Sequence, residues 1–371
     1  MRLLTILSLV FCYHLSTGQL NNSVFENLTK IEAKDTSKLF LGLNSLFFFK
    51  NNEYFNTIID GYTLFGYQFN PFLNYQPHEN IRINAGWYFQ KDFGNSNVTT
   101  TAPTLSFEWK KNGYSLIFGN LESSLNHRLI EPLYDFESVL NQRLETGFQM
   151  KIDKEKLFAD LWIDWKKMQY WNDINQEQFV VGLSLNKQVV KVGNGKLDFP
   201  LQIVIRHNGG QIGVSGHPPA QTLVNLATGF RWTQKVESKL KNIILDGYYV
   251  IDDDITKVKP APTSGNGIYL NSSITTSFGL EAMISYWRAK DYTAFEGGKI
   301  YQSISVFDPT RIEQSPHLLI LRLLYNYYFA DNISLTVRAE PYFDLNRNTF
   351  QYSYALYINY RDNFFLTKRK K

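Results

Sequence analysis

Apolar and polar residues alternate with a period of two along almost the whole chain. Within residues 157–167, for example, Leu161 and Ile163 alternate with Asp160, Trp162 and Asp164. A β-strand turns successive side chains to opposite faces, so this segment is predicted to be a strand with one apolar and one polar face. Such segments recur about 16 times. The predicted strands cover residues 39–49, 62–74, 81–91, 103–111, 114–121, 143–152, 157–167, 177–187, 197–207, 223–233, 241–251, 266–276, 278–288, 316–328, 333–343 and 350–360.

The connections between these strands alternate between short polar turns and long loops. The long loops fall near residues 92–102, 122–141, 208–222, 252–266 and 289–315. Short turns at one end and long loops at the other are typical of outer-membrane barrels. We therefore predict an all-β fold, a transmembrane antiparallel up-and-down β-barrel of about 16 strands. Strand boundaries read from a sequence shift by ~2–4 residues, so 14 and 18 strands remain alternatives.

A soluble β-sandwich would also alternate, with its apolar face turned into a core. The aromatic content favours the membrane, because the chain holds 23 Tyr and 28 Phe. Several aromatic residues lie near the ends of the apolar strand faces, where outer-membrane barrels carry aromatic girdles at the two membrane interfaces. Those singled out here are Trp87, Trp165, Trp232, Tyr352 and Tyr360. The predicted location is the cell outer membrane.

The N-terminus carries the features of a secretory signal peptide. A positive start at Arg2 precedes a short apolar run, and small residues follow before Gln19. Phe11 precedes Cys12, whereas a lipoprotein signal needs a small residue there. We predict a signal peptide over residues 1–18, a short periplasmic leader over 19–37 and one barrel domain over 38–371.

Composition excludes several classes of function. A net charge of +4 on 371 residues is too small to indicate nucleic acid binding. The single cysteine, Cys12, falls in the signal peptide, so the mature chain has no disulfide or thiolate metal site. After the signal no apolar run reaches the ~18 residues of a membrane helix. The acidic run at 252–254 lacks the spacing of a calcium loop and is interpreted as solvated. We expect neither a metal nor a cofactor.

Five segments resemble a porin-like family of outer-membrane β-barrels from Bacteroidota-type bacteria. They are residues 52–55 (NEYF), 60–64 (DGYTL), 127–135 (HRLIEPLYD), 145–149 (ETGFQ) and 160–165 (DLWIDW). The resemblance covers most of the mature chain. It implies a barrel in the outer membrane and leaves the substrate open.

The connection at 122–141 is the third on the long-loop side if the first predicted strand, 39–49, is real, and it carries mixed charges beside clustered apolar residues. The third loop of general porins folds inward and narrows the pore, and opposed charges there select solutes by charge. A solvated external loop is the alternative. The predicted constriction residues are Glu122, His127, Arg128, Glu131, Asp135 and Glu137. Their acids are expected to face lumen cations such as Arg143 or Arg206.

The polar faces of the strands give a set of predicted lumen residues: Arg82, Glu108, Arg143, Glu145, Asp160, Trp162, Asp164, Arg206, Arg231, Arg322, Arg338 and Glu340. Such residues either pair across strands or give the pore a weak anion preference. Trp162, between two aspartates, either stacks on a sugar or plugs the wall.

These features predict a porin-like channel for passive diffusion of small hydrophilic solutes, and not an enzyme. One alternative is a structural or interaction barrel that binds a partner through its external loops, especially 289–315. Another is a barrel enzyme, for which His207 is the best single candidate. Expected partners are membrane lipids, the outer-membrane assembly machinery and small polar solutes. The oligomeric state is left open.

Overall fold

The computed structural model describes residues 20, 22–26, 31–122, 124–171, 173, 175–209, 219–256 and 264–368. The predicted signal peptide lies outside the described residues. In the N-terminal segment that follows it, residues 22–26 lie inside the barrel. The ring of Phe25 packs edge-on against Phe136 and Tyr357, with ring centroids 5.3 and 4.9 Å away. This segment therefore fills part of the lumen.

Sixteen strands make up nearly all the regular structure of the described residues. They are β1 (Lys38–Phe55), β2 (Asp60–His78), β3 (Ile81–Asp92), β4 (Thr100–Lys111), β5 (Tyr114–Asn120), β6 (Thr146–Lys154), β7 (Leu157–Lys167), β8 (Gln178–Val192), β9 (Gly195–Asn208), β10 (Gln221–Lys235), β11 (Leu240–Asp254), β12 (Ser264–Thr276), β13 (Leu280–Lys290), β14 (His317–Ala330), β15 (Ile333–Asp344) and β16 (Thr349–Lys368). One short helix, α1 (Ser138–Asn141), and 3₁₀ turns at Asn22–Phe25, Ala33–Asp35, Ser124–His127 and Lys299–Tyr301 complete them.

Each strand pairs antiparallel with its neighbours in sequence, and β1 pairs with β16 to close the barrel. Leu46 of β1, for instance, lies between Asn359 of β16 and Gln68 of β2. Closure leaves no free sheet edge in the wall. The structure confirms the predicted fold class and the count of 16.

The two ends of the barrel differ, as the sequence predicts. The first residue of β1, the last residue of β16 and the short turns share one end, which we call the short-turn end. Asn112 and Gly113 connect β4 to β5 there with φ of 52° and 79°. Two consecutive positive φ values are the requirement of a type I′ hairpin turn, and Asn-Gly meets it at low cost. The opposite end, which we call the long-loop end, carries the long connections.

The polarity of the wall is inverted relative to a soluble β-protein. On β7 the outward Leu161 is 41% exposed, whereas its inward neighbour Asp160 is fully buried. Outward rows of Phe, Leu, Ile and Tyr surround the barrel, and the inward rows are largely polar. No helix among the described residues is long and apolar enough to cross a membrane. The apolar outer surface suits contact with lipid.

This inversion predicts the effect of a charge at mid-height on the outer wall. Leu161→Arg is expected to lower the free energy of folding into lipid by about 2–4 kcal/mol, because the guanidinium would sit near the bilayer midplane. Tyr114→Arg, at the outward short-turn rim, should cost only about 0–1 kcal/mol. Denaturant titrations of both variants in lipid vesicles measure the difference. Equal costs at the two sites would mean that the outer wall does not face lipid.

Candidate functional site

The connection between β5 and β6, residues 121–145, folds into the lumen, and we call it the plug loop. β5 has only seven residues and β6 nine, so the chain leaves the wall at partial height. Leu129, Ile130 and Leu133 are at most 4% exposed. The backbone N–H of Ile130 donates to Oε1 of Gln202 on β9 at 2.9 Å. Apolar burial and a bond to the wall therefore hold the loop inside.

A second long connection, residues 291–316, also enters the barrel, and we call it the capping loop. Its Tyr292 is fully buried, and the hydroxyl donates to the carbonyl of Pro132 at 3.0 Å. The N–H of Gly298 donates to the carbonyl of Glu131 at 2.8 Å. The two loops thus pack on each other across the long-loop half of the lumen.

Ion pairs tie the middle of the plug loop to the far wall. Nη2 of Arg338 on β15 lies 3.0 Å from Oε1 of Glu131, and Arg322 on β14 pairs with the same carboxylate. Both arginines also pair with Glu340, at 2.7 and 2.8 Å. All four side chains are buried away from water, so each charge is stabilised mainly by its oppositely charged partners.

Glu137 forms a second anchor near β1. Its carboxylate pairs with Nζ of Lys50 at 2.6 Å and with Nζ of Lys299 from the capping loop at 2.8 Å. Asn52 donates to it at 2.9 Å, and the Tyr62 hydroxyl donates as well. Burial alone would raise the pKa of Glu137, but Lys50 and Lys299 hold it well below its usual range. The carboxylate stays charged and keeps both loops attached to the wall.

His127 anchors the start of the loop. Its Nδ1 lies 2.9 Å from Oδ2 of Asp160, and its Nε2 lies 2.7 Å from Oε2 of Glu145. The ring stacks on Trp162 at 3.6 Å with an interplanar angle of 9°. Two carboxylates can both accept only from an imidazolium, whose two nitrogens each carry a proton. A cation over the indole face adds a cation–π attraction.

This anchor depends on pH. Burial lowers the pKa of His127, but Glu145 and Asp160 outweigh it and raise the pKa to about 9. The stabilisation that the charged imidazole gives to the loop is complete below about pH 6.5, the ordinary pKa of histidine. It is lost as the pH rises through about 9. We expect the plug loop to exchange amide protons faster at pH 10 than at pH 7, after correction for intrinsic exchange. Unchanged protection at pH 10 would show that the charge on His127 does not hold the loop.

The structure places all six predicted constriction residues on the plug loop, inside the barrel. Glu122 pairs with Lys151, and Arg128 with Asp153 at 2.9 Å. The expected partners of the acids are wrong. Glu131 faces Arg322 and Arg338 rather than Arg143 or Arg206, because the loop crosses to the far wall. Whether these residues select solutes stays a prediction.

The predicted lumen residues all face inward or lie within the barrel. Ten are buried: Arg82, Glu108, Glu145, Asp160, Trp162, Asp164, Arg231, Arg322, Arg338 and Glu340. Arg143 and Arg206 are partly buried. Arg143 and Glu145 belong to the plug loop rather than to a strand, since β6 begins at Thr146. The His127 ring covers one face of the Trp162 indole, and that face is therefore not available for stacking on a sugar.

A polar patch interrupts the apolar outer wall near the long-loop end. It consists of Asn51 and Glu53 on β1, Thr63 on β2 and Tyr354 on β16, and we call it the wall patch. Nδ2 of Asn51 donates to Oε1 of Glu53 at 2.5 Å and to the Tyr354 hydroxyl at 3.3 Å. The Thr63 hydroxyl donates to Oδ1 of Asn51 at 2.7 Å. Thr63 thus fixes which way the amide of Asn51 points.

The wall patch combines a carboxylate with hydrogen-bond donors at the edge of the lipid-facing surface. Outward Phe49, Phe55, Phe65 and Phe350 surround it. The Tyr354 oxygen accepts from Asn51, so its own hydrogen can be donated to another molecule. A carboxylate that can take a proton, beside donors that can stabilise an oxyanion, is the minimum equipment for ester hydrolysis. The sequence pattern did not reveal this site, although Glu53, a carboxylate in the outward apolar row of β1, was a usable signal.

No group of His, Cys, Asp and Glu side chains within the described ranges is arranged to hold a metal ion. His207, the candidate for a barrel enzyme, contacts the Thr222 hydroxyl at 2.8 Å and stacks near Phe179. No carboxylate partner of this ring is seen in the described part of the chain, so the structure gives His207 no evident catalytic partner.

Comparison with known proteins supports the barrel and changes the view of its chemistry. The model of the Lipid A 3′-O-deacylase-type family matches residues 31–369. Among curated proteins, no sequence matches the chain. The family name is that of an enzyme, so the expectation that this protein is not an enzyme is wrong. The sequence pattern that predicts the barrel carries no information on this point.

Solved structures share the fold at low identity. A loop L8 deletion mutant of OmpT from Vibrio cholerae matches with a TM-score of 0.52 and 11% identity, covering 88% of this chain and 100% of that one. OprD from Pseudomonas aeruginosa gives 0.51 and 12%, covering 89% and 95%. OmpF from Salmonella typhi, in complex with daunomycin, gives 0.51 and 12%, covering 89% and 99%. The chain is an outer-membrane barrel.

Proposed function

Because the chain belongs to the Lipid A 3′-O-deacylase-type family, we propose that it hydrolyses the ester that joins an acyl chain to the 3′ position of lipid A. The observation that carries the proposal is the wall patch. It is a hydrogen-bonded group of a carboxylate, an amide and two hydroxyls on a largely apolar surface. Ionisable groups are rare on a lipid-facing wall, which favours a functional reason for this one.

The position of the wall patch suits a lipid substrate. Asn51 and Glu53 lie among the last five residues of β1, at the long-loop end. That end faces the outside of the cell in outer-membrane barrels. An acyl ester of a glycolipid sits where sugar meets hydrocarbon, which is the depth of the patch. The acyl chains can remain in the bilayer beside Phe49 and Phe65 while the ester reaches Glu53.

The proposed reaction assigns one role to each side chain. The Glu53 carboxylate takes a proton from water, and the water oxygen bonds to the acyl carbon. Donation from Tyr354 stabilises the negative oxygen that forms. The bond between the acyl carbon and the sugar oxygen then breaks, and the sugar oxygen takes up the proton. The products are a free fatty acid and a sugar hydroxyl. Asn51 and Thr63 position Glu53 and Tyr354.

The filled lumen supports a reaction at the outer wall rather than inside the barrel. The plug loop, the capping loop and residues 22–26 all occupy the interior. A glycolipid with several acyl chains would have to displace them to enter. At the wall patch the substrate needs only lateral diffusion in the leaflet.

The direct test is lipid A incubated with the purified barrel in mixed micelles and analysed by mass spectrometry. We expect loss of one 3′-linked acyl chain and an equal amount of free fatty acid. In water enriched in oxygen-18 the label should enter the fatty acid carboxyl group and not the sugar. Heat-unfolded protein is the control. Intact lipid A after incubation with folded protein would contradict the proposal.

Passive diffusion of small hydrophilic solutes is a second candidate. The observation that favours it is that the plug loop is held inside by non-covalent contacts, including ion pairs to Lys50 and Arg338 of the wall, and is not itself part of the wall. A barrel of this strand number has room for an aqueous channel once it is emptied. Replacing residues 123–142 by a short Gly-Ser linker is therefore expected to open the barrel and raise its conductance in a planar bilayer. If the intact barrel conducts as well as the shortened one, the plug loop does not block it.

A further inference from the structure

A cavity of about 150 Å³ lies inside the barrel beside β1 to β5, and we call it the inner cavity. This is well above the roughly 10–15 Å³ that a cavity needs to hold one water, so it has room for several waters or one small molecule. The plug loop closes it toward the long-loop end, and Phe25 and Glu26 border it on one side. Arg82 and Glu108, close to the short turns, mark its other limit. A ligand would therefore reach it from the short-turn end, which faces the periplasm in outer-membrane barrels.

Where strands form the wall of the inner cavity, their inward side chains are mainly carboxamides and hydroxyls. Inward side chains on four adjacent strands form this surface: Asn44, Asn70, Asn84, Thr104 and Ser106. Nδ2 of Asn84 donates to the Ser106 hydroxyl at 3.1 Å, while the buried Oδ1 of Asn84 has no partner among the described residues. Buried polar groups are normally satisfied, so this oxygen is an acceptor that a ligand in the cavity can use.

An aromatic ring forms another part of the lining. A Cβ at Gly42 would lie only 2.2–2.7 Å from the tip of the Phe72 ring. Glycine at this position therefore lets the ring lie along the wall, where any Cβ would push it away. Phe72 and Tyr88 both border the cavity. Aromatic rings beside amides and hydroxyls can contact the C–H surface of a sugar while the polar groups bind its hydroxyls.

The charged groups around the cavity are largely neutralised. Arg82 pairs with Glu108, and Glu122 pairs with Lys151. Arg143 donates to the carbonyl of Phe25 and, at 3.3 Å, to Oε1 of Gln68. Burial raises the pKa of Glu26. Arg82 and Glu122 thus have ionic partners, and Arg143 donates to neutral oxygens. A strongly charged ligand would have to compete with these bonds, which favours a neutral polar molecule.

We propose that the inner cavity binds a neutral polyhydroxylated molecule of monosaccharide size from the periplasmic side. The site is separate from the wall patch, since its residues face the lumen and those of the patch face lipid. It requires neither the deacylase activity nor an open pore. Its role is that of a ligand site on the inner side of the membrane.

The test is titration of the purified barrel with D-glucose, followed by saturation-transfer NMR, in a sugar-free detergent such as an amine oxide. D-glucuronate, which has the same ring and one negative charge, serves as the charged probe. We expect saturable binding of glucose and none of glucuronate. Ser106→Ala should weaken glucose binding about threefold to tenfold, the value of one hydrogen bond. Asn84→Leu, which removes two polar atoms and narrows the cavity, should weaken it further.

Ser273→Ala is the matched control, because Ser273 is a buried inward serine on the opposite wall. It should leave glucose affinity unchanged. Heat-modifiable gel migration checks that each variant folds, and Ser106→Ala decides the question if Asn84→Leu does not fold. Absence of saturation in the wild-type protein, or equal affinity in the Ser106 and Ser273 variants, would overturn the proposal.

Discussion

Replacing Glu53 by glutamine is expected to lower the rate of acyl release from lipid A by a factor of about 10² to 10⁴, the usual contribution of a positioned general base. The substitution keeps the size of the side chain and its hydrogen bond from Asn51, since the new amide oxygen can still accept. It removes only the ability to take a proton from water. The measurement is the initial rate of fatty acid release in mixed micelles.

Glu79→Gln is the matched control for this prediction. Glu79 is an exposed carboxylate in the turn between β2 and β3, at the opposite end of the barrel. Its substitution should leave the rate unchanged. If both variants keep the full rate, the wall patch is not the site of hydrolysis. A rate lost equally in both would indicate impaired folding, which heat-modifiable migration would reveal.

Replacing His127 by alanine is expected to weaken the attachment of the plug loop by about 3–5 kcal/mol, the cost of removing one partner from a buried ion pair. Without the imidazolium, the Glu145 and Asp160 carboxylates lose their shared cation in a fully buried site. The lost stacking on Trp162 also leaves a void beside the indole ring. The population of the opened loop should rise roughly 10²-fold to several 10³-fold. Amide hydrogen exchange of residues 126–140 measures it, because exchange reports local opening.

His207→Ala controls for the loss of an imidazole in general. His207 is half-buried and bonds to the Thr222 hydroxyl, far from the plug loop in sequence and on β9 of the wall. Its substitution should leave exchange in residues 126–140 as it is. Equal protection of these amides in the wild-type and His127 variants would mean that the ion pairs of His127 do not hold the loop.

The strands of the barrel wall could be predicted because the residue pattern that specifies each strand lies within that strand. Alternation at Asp160, Leu161 and Trp162 fixes which face each side chain occupies, and the same rule holds for every strand. Turn residues such as Asn112 and Gly113 mark the hairpins. Closure followed from an even number of strands, which brings the outer ends of the first and the last strand to the same side of the membrane.

The filling of the lumen could be predicted only in part. Clustered apolar residues at 129, 130 and 133 indicated that the plug loop turns inward, since exposed apolar groups gain nothing in water. Its partners could not be read, because Glu131 meets Arg338 across 207 residues of sequence. The period-two alternation places both Arg206 and Arg338 on the inward face of their strands. Only the path of the loop in space decides between them.

The wall patch was missed for a related reason. Asn51, Glu53, Thr63 and Tyr354 come from three strands, and β1 meets β16 only on closure of the barrel. Segments 52–55 and 60–64 were singled out as family-like without a role. Period two assigns Glu53 to the outward face, where a carboxylate has no place in a plain lipid-facing wall.

The central claim is that this barrel acts on lipid at its outer wall while its lumen stays filled. One preparation of proteoliposomes that carry lipid A tests it, with fatty acid release and ion conductance measured on the same sample. We predict that this sample releases fatty acid from lipid A and shows no conductance above that of protein-free vesicles. Steady conductance without any release of fatty acid would contradict the account.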